Sequence, residues 1–341
     1  MAFFRKGAHK DRLQRSLMKN LATFSTDALP AQDRFAHWRE VRAEKIYGVT
    51  IELAVEKRRQ FQGRFSSFSI GNSALVEMHA SSYSVHRSPY AIANAPSDSL
   101  CIYQQLDAAS WFDAGKGREF IVSAGNLAVS HSDLPYQSIP TTDAGFHLRL
   151  VKIPFSYCRP LIEKPADLTP RPVAKVPGLS SMLCAYYEAF VAQAPTFDQD
   201  AAEAAVATLA QLALLTRGLA DPGAEHSRAA IHAAQVQVAF RMIEANLHRA
   251  NLSATTMAAM LGISVRQLHL LFEPTGTSYA RYVQGRRLER AREMLTRDRG
   301  ESVLDIALAC GFDSLSTFYR VFRAAHGLPP GDYRHAMRVG A

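Results

Sequence analysis

No stretch of this sequence stays apolar for the roughly 18 residues that a helix needs to cross a bilayer, so a membrane-spanning helix is not expected. Cysteine is scarce. Cys101, Cys158, Cys184 and Cys310 are scattered through 341 residues, with no CxxC step and no paired histidine spacing. That spacing excludes a disulfide framework and a zinc site, and fits thiols kept reduced in a cytoplasm. The first twenty residues, MAFFRKGAHKDRLQRSLMKN, are basic but contain no apolar core or cleavage site. No secretory signal is read there. Lysine is absent from residues 229–341, where every cation is arginine.

What is present is an ordinary apolar fraction of 48% and a length that suits two or three domains. The net charge of +8 is unevenly spread. Residues 1–20 carry six Lys/Arg against one Asp, residues 21–228 carry 19 against 21 acids, and residues 229–341 carry 14 against 9. A basic last third beside a near-neutral middle suggests a nucleic-acid module joined to a domain with another task.

Along the chain, residues 1–29 show no periodic pattern and are expected to form a mobile basic arm. A helix is expected from Pro30, with Phe35, Trp38, Val41 and Ile46 near one face, ending at Tyr47–Gly48. From Val49 to Pro154, short alternating runs recur between turn signals, among them VTIELAV, SLCIYQQL, EFIVSAGNLAVSHS and FHLRLVKIP. Many short strands at near-regular spacing predict a β-sandwich or barrel. The Pro-rich segment EKPADLTPRPVAKVPGLS then crosses to a helical pair. Leu179, Met182, Leu183, Tyr186 and Phe190 mark its first helix, and Ala201, Ala205, Leu209, Leu212 and Leu215 its second. LADPGAEHSR reads as a linker.

In the basic third, Ser302 can cap a helix with Val303, Ile306, Ala307 and Cys310 on one face, and Gly311 suits its left-handed end. Asp313 or Ser314 caps a second helix that is expected to bury Phe318, Val321, Phe322 and Ala325. Its outer face carries Ser316, Tyr319, Arg320 and Arg323. A Gly-containing turn between two short helices, the second basic outside, describes a helix-turn-helix. The pattern repeats upstream: Ser253 caps ATTMAAML, Gly262 closes it, and Ser264 caps VRQLHLLF, with Leu268, Leu271 and Phe272 inward. Between the two lies YARYVQGRRLERAREMLTR, read as one connector helix of roughly 28 Å at 1.5 Å per residue. Recognition helices held about 34 Å apart can read successive major grooves on one face of B-DNA.

The string IALACGFDSLSTFYRVFRAAHGLPPGDYR closely resembles the C-terminal signature of the AraC-type transcriptional regulators. GREFIVSAGNLAVSHSDLPYQ, with RFAHWREV and LRLVKIPFSYCRPLI on its flanks, resembles the cupin-like sensor domains of that family. The resemblance implies an α+β chain: an N-terminal cupin-like β-barrel with a helical pair, then an all-α double helix-turn-helix domain. In numbers, the arm covers 1–29, the sensor domain 30–177, the helical pair and candidate dimer contact 178–219, the linker 220–229 and the DNA-binding domain 230–338. Within the last, the first helix-turn-helix spans about 253–272, the connector 279–297 and the second motif 302–326.

Carried over by position, the resemblance puts base readout on Arg266, His269 and Leu270, and on Leu315, Ser316, Thr317 and Arg320. Arg266 and Arg320 can each hold a guanine edge in a bidentate pair, while His269 reads either a base or a phosphate. Leu270 and Leu315 replace polar residues; they touch a thymine methyl, or those positions are read through DNA shape. Phosphate contacts fall to Gln267, Arg286, Arg287, Tyr319 and Arg323. A small-molecule effector would lie in the barrel, with Tyr83, His86, Tyr103, Trp111, His131 and Tyr136 as candidate lining.

The implied partners are double-stranded promoter DNA, RNA polymerase, an effector and a second copy of the chain, with no membrane, in the cytoplasm. The implied role is an activator without enzymatic activity, cofactor or metal. Two other readings stand beside it: a ligand-independent regulator controlled by abundance or a partner protein, and a cupin-type metalloenzyme fused to a DNA-binding domain. The second would need clustered metal ligands, whereas His79, His86, His131 and His147 are dispersed with no His-x-His step. A methyl-accepting repair protein would need an N-terminal cysteine cluster that this sequence lacks.

Overall fold

The computed structural model describes residues 21–41, 48–159, 161–162, 165–173, 178–297 and 300–339. The chain divides into two compact units, Met1–Ile231 and His232–Ala341.

The first unit is built on two antiparallel sheets. Seven strands lie in the order β1(Leu21–Ser25), β3(Gly63–Ile70), β4(Ser73–Ala80), β11(Phe146–Pro154), β6(Ser99–Gln105), β9(Leu127–His131) and β12(Arg171–Pro172). Five more lie in the order β2(Thr50–Glu52), β5(Ser84–Arg87), β10(Tyr136–Pro140), β7(Ser110–Asp113) and β8(Glu119–Val122). The sheets face each other across an apolar interior and do not close into one hydrogen-bonded ring. The barrel expectation therefore becomes an open two-sheet sandwich of the same strands.

Strand parity explains the layers, because alternate residues of a strand point to opposite faces. On β11, Phe146, Leu148 and Leu150 face the other sheet, while His147 and Arg149 turn outward to Glu77. At one end, Trp38 and Phe61 are wholly buried with Phe35, Tyr83 and Phe146 in a single cluster. Full burial of such side chains is worth about 1.5–3 kcal/mol each.

Two expectations change here. Leu21–Ser25, assigned to the arm, is edge strand β1, held by pairing with β3 and by Phe24 stacking on Phe65 at 5.7 Å. Residues 1–20 and Ile46 fall outside the described residues. The first helix, α1(Arg34–Glu40), starts after Asp33 rather than at Pro30, and Pro30 instead belongs to the turn before it.

A buried cation ties the loops of this unit together. Arg87, 2% exposed at the end of β5, donates to the carbonyls of Gly48 at 2.5 Å, Ala95 at 2.9 Å and Ser132 at 3.1 Å. The Ala91 and Ala95 carbonyls lie at the C-terminal end of α2(Pro89–Asn94), which suits a cation. Asp133 supplies the counter-charge at 3.0 Å and also accepts from the backbone N–H of Ser97 and Asp98. Burial alone would raise the Asp133 pKa, but these donors outweigh it and hold the carboxyl below its ordinary range.

Two helices complete the unit. α3(Leu179–Gln193) and α4(Gln199–Thr216) pack on each other, and α4 touches β3. Glu188 of α3 accepts from Gln104 at 2.5 Å, and Arg217, which caps α4, donates to the Val129 carbonyl at 2.9 Å. Ala205, Leu209, Leu212 and Leu215 are buried as the periodicity predicts, whereas Ala201 is exposed in the first turn.

The second unit is all helical. α5(Glu225–Asn246) begins within the stretch read as linker and continues into this unit. α6(Ala254–Leu261), α7(Val265–Phe272), α8(Tyr279–Arg297), α9(Val303–Ala309), α10(Leu315–His326) and α11(Pro330–Val339) follow. They enclose two separate cores. The first gathers α5, α6, α7 and the start of α8 around Leu268, Phe272, Tyr279 and Val283. The second gathers the end of α8 with α9 and α10 around Leu288, Leu295, Ile306, Phe318 and Phe322. No helix among the described residues is long and apolar enough to cross a membrane.

The Arg87–Asp133 pair generates a stability prediction. Asp133→Ala leaves a buried guanidinium without counter-charge and is expected to destabilise the first unit by about 3–5 kcal/mol. Because the Asp133 pKa is depressed on folding, its contribution is complete above the unfolded value of about 3.9 and is lost as pH falls through the native value. Urea titrations of wild type and variant by tryptophan fluorescence at neutral and acid pH check both; equal stability at neutral pH contradicts the assignment.

Candidate nucleic-acid interface

Each helix-turn-helix is set by local chemistry. In the first, the Ser253 hydroxyl accepts from Thr256 N–H at 3.1 Å, and Gly262 ends α6 at φ +67°, where a side chain would be strained. Ser264 and Gln267 form a reciprocal capping box that starts α7. Leu268, Leu271 and Phe272 are buried, while Arg266, Gln267, His269 and Leu270 are exposed. Pro274 falls in a short 3-10 turn after Phe272, which ends α7. Gln267 thus has a structural task, its side-chain oxygen accepting from Ser264 N–H at 2.8 Å.

The second motif repeats this plan. Ser302 and Asp305 form the capping box of α9, and Ser314, rather than Asp313, caps α10 through Thr317 N–H at 3.3 Å. Phe318, Val321 and Phe322 are buried, and Leu315, Ser316, Thr317, Tyr319, Arg320 and Arg323 are exposed. Ala325, expected inside, is exposed; His326 takes the inward position, its ring 4.5 Å from that of Phe322.

The connector α8 joins the two cores, and Arg287 lies at its middle. Its Nε donates to the Leu247 carbonyl at 3.2 Å and its Nη2 to the Arg249 carbonyl at 2.6 Å, just past the end of α5. The same guanidinium lies 6.0 Å from the Phe312 ring centre. Gly311 passes so close that a Cβ there would overlap the Leu247 carbonyl oxygen, and its φ is +81°. Arg286 is paired with Glu244 of α5 through both carboxylate oxygens. Carbonyls and a carboxylate of their own unit hold these two arginines, so they brace the fold.

Arg266, Arg320 and Arg323, by contrast, make no hydrogen bond or ion pair with side chains or carbonyls among the described residues. A single cleft of about 600 Å³ is lined by His269 of α7 and by Thr317 and Arg320 of α10, with Ser253, Gln284 and Arg287 also on its wall. The two second helices therefore open onto one side of the connector.

In the first unit, a cavity of about 100 Å³ lies between the sheets. Tyr103 and Tyr136 line it. The other four residues expected there do not, and parity is the reason in three cases. His86, Trp111 and His131 are each one residue away from lining residues Arg87, Phe112 and Ser132, so they occupy the opposite faces. Trp111 donates to Glu119 at 3.3 Å; His131 is buried against Phe155 and Asp98, and burial keeps its pKa low. Tyr83 packs instead against Phe61 and Phe146. Sequence reasoning missed Phe112, Phe120, Ser138 and Lys152, which strand alternation could have placed had the inward register been known. His79 and His147 do meet, edge to face at 5.2 Å, on the outside of the seven-stranded sheet.

A helix-turn-helix domain model matches residues 257–336. The transcriptional activator NphR of a Rhodococcus species is 28% identical over 309 residues, spanning 87% of this chain and 88% of that protein. The transcriptional activator RhrA of Rhizobium meliloti is 38% identical over 93 residues, 27% of this chain and 30% of that protein. The solved structure of the AraC-like transcriptional activator CuxR covers 84% of this chain and all of its own at a TM-score of 0.50 and 22% identity, a likeness of fold. Two helix-turn-helix units braced on one connector and joined to a two-sheet domain define a DNA-binding transcription regulator. The chain is similar along most of its length to a transcriptional activator and in fold to an AraC-like one, and its residues 257–336 match the helix-turn-helix domain.

The brace at the centre of α8 is open to test. Arg287→Ala leaves two carbonyls without their donor, a loss of about 1–3 kcal/mol, and Gly311→Ala is expected to cost at least about 1 kcal/mol from its positive φ alone. Both tryptophans, Trp38 and Trp111, lie in the first unit. The helical circular-dichroism signal should therefore unfold earlier in urea while the tryptophan transition stays in place. Unchanged helical unfolding in both variants would remove the brace from the account.

Proposed function

We propose that this chain activates transcription from a bipartite promoter site, seating α7 and α10 in successive major grooves of one DNA face. The shared cleft carries this reading: residues of both second helices line it, and it lies beside the connector. Arg266 and Arg320, exposed and unpaired, are the base readers; Leu270 and Leu315, 51% and 39% exposed, meet thymine methyl groups. Arg323 and Tyr319 take phosphates. His269, on the cleft wall, takes a phosphate where the backbone passes between the grooves.

RNA polymerase is the protein partner of this reading, and α9 supports it by leaving Leu304 and Leu308 exposed, 48% and 53%, one turn apart. The inter-sheet cavity is the effector site, which favours an effector-responsive regulator over one governed by abundance alone. Half-buried Leu179, Met182 and Tyr186 of α3 leave apolar surface for a homodimer, whereas the leucines of α4 are committed inside the chain. The role is regulatory rather than enzymatic, and its setting is the cytoplasm.

Arg320→Ala should lose about 1–3 kcal/mol of discrimination at a single base pair, while Arg323→Ala should weaken cognate and mutated sites alike. Binding titrations at fixed salt against a promoter fragment and its single-base variants separate the two. Equal losses on every site for Arg320→Ala would remove it from base readout. Affinity should also fall steeply with salt as counterions are released, and a flat profile would contradict phosphate contact altogether.

A further inference from the structure

The cavity between the sheets is graded from apolar to cationic, and the grading follows sheet register. On the seven-stranded sheet, Lys152 pairs with Cys101 and Cys101 with Ser130, so these three form one inward row. The next row, Leu150, Tyr103 and Ala128, is apolar apart from one phenol. The facing sheet contributes Phe112 and Phe120, whose rings stack in parallel at 5.3 Å, with Ser138 opposite Phe112.

The charges around this space do not cancel. Arg87 and Asp133 neutralise each other at 3.0 Å. Burial pushes the Cys101 thiol up to about 11, so it carries no charge at neutral pH. Lys152 makes no ion pair or hydrogen bond among the described residues and contributes one positive charge that none of them compensates. The Ser138 hydroxyl, 3% exposed as a residue, is buried with no hydrogen-bond partner among the described residues. A buried polar atom without a partner is costly unless a bound molecule or water supplies one. An apolar cavity of about 150 Å³ is known to hold benzene, so a space of about 100 Å³ limits a ligand to one ring.

We propose that this cavity takes a single-ring aromatic carboxylate, with the Lys152 ammonium as its counter-ion and the Phe112–Phe120 pair against the ring. The proposal rests on the reading of the cavity as the effector site. The Ser138 hydroxyl is placed to meet a polar substituent on the ring, which makes hydroxybenzoates as well as benzoate the relevant acids.

The test is isothermal titration of the full chain with benzoate and hydroxybenzoates, each against its neutral amide. A charge-assisted contact makes the acid bind on the order of ten- to a hundredfold more tightly than the amide. Lys152→Met should reduce the acid to the affinity of the amide, and Lys152→Arg should keep the preference. Should Lys152→Met fail to fold, as its thermal melt would reveal, the acid–amide ratio in wild type and in Lys152→Arg still decides. Acids and amides binding alike overturn the anionic class while the effector site stands. An acid preference that survives in Lys152→Met removes Lys152 as counter-ion and overturns the proposal. Binding of neither acids nor amides overturns this proposal and leaves the effector-site reading to ligands of another class.

Discussion

Arg287 reaches from the middle of α8 to the carbonyls of Leu247 and Arg249 and to the face of Phe312. One guanidinium thus ties the residues just past α5 to the turn of the second helix-turn-helix. The two cores share α8 but little else, since Tyr279 and Val283 belong to one and Leu288 and Leu295 to the other. A helix fixes the distance between two such bodies, yet it does not by itself fix their rotation about its axis. The Arg287 contacts and the Glu244–Arg286 pair supply that constraint. Gly311 is required because any side chain would occupy the space through which the brace is made. With spacing and rotation both set, α7 and α10 face a common cleft.

Much of this half was legible in the sequence, because short-range chemistry specifies it. Serine caps followed three residues later by Gln267 or Asp305, and glycine at 262 and 311, name helix ends without knowledge of the fold. Helical periodicity then separated Leu268, Leu271 and Phe272 from Arg266 and His269. It failed at Ala325, where a half-buried histidine one residue on satisfies the same face by stacking on Phe322. The partners of Arg286 and Arg287 were not legible. Both sit about forty positions from the groups they hold, and nothing local distinguishes a bracing arginine from one aimed at phosphate.

The first unit was legible as strands but not as a cavity. A strand pattern gives alternation without saying which parity faces inward when both faces of a sheet are covered. On β9, Ala128 and Ser130 line the cavity while Val129 and His131 are the more deeply buried, on the other face. Choosing conspicuous aromatics and histidines therefore selected the wrong parity at His86, Trp111 and His131, and passed over Lys152. The Arg87–Asp133 contact escaped notice for the reason that hid Arg287: its residues lie far apart in sequence and meet only after the loops have folded. In each unit, one cation held by backbone carbonyls organises the segments around it.

The central claim is that one chain presents two recognition helices to one face of DNA. Hydroxyl-radical footprinting of the protein on its own promoter region, at fixed salt, tests it most directly. The account predicts two protected patches one helical turn apart on the same face of the duplex, both weakened when half a turn of DNA is inserted between them. A single patch, or two patches indifferent to the insertion, would contradict it.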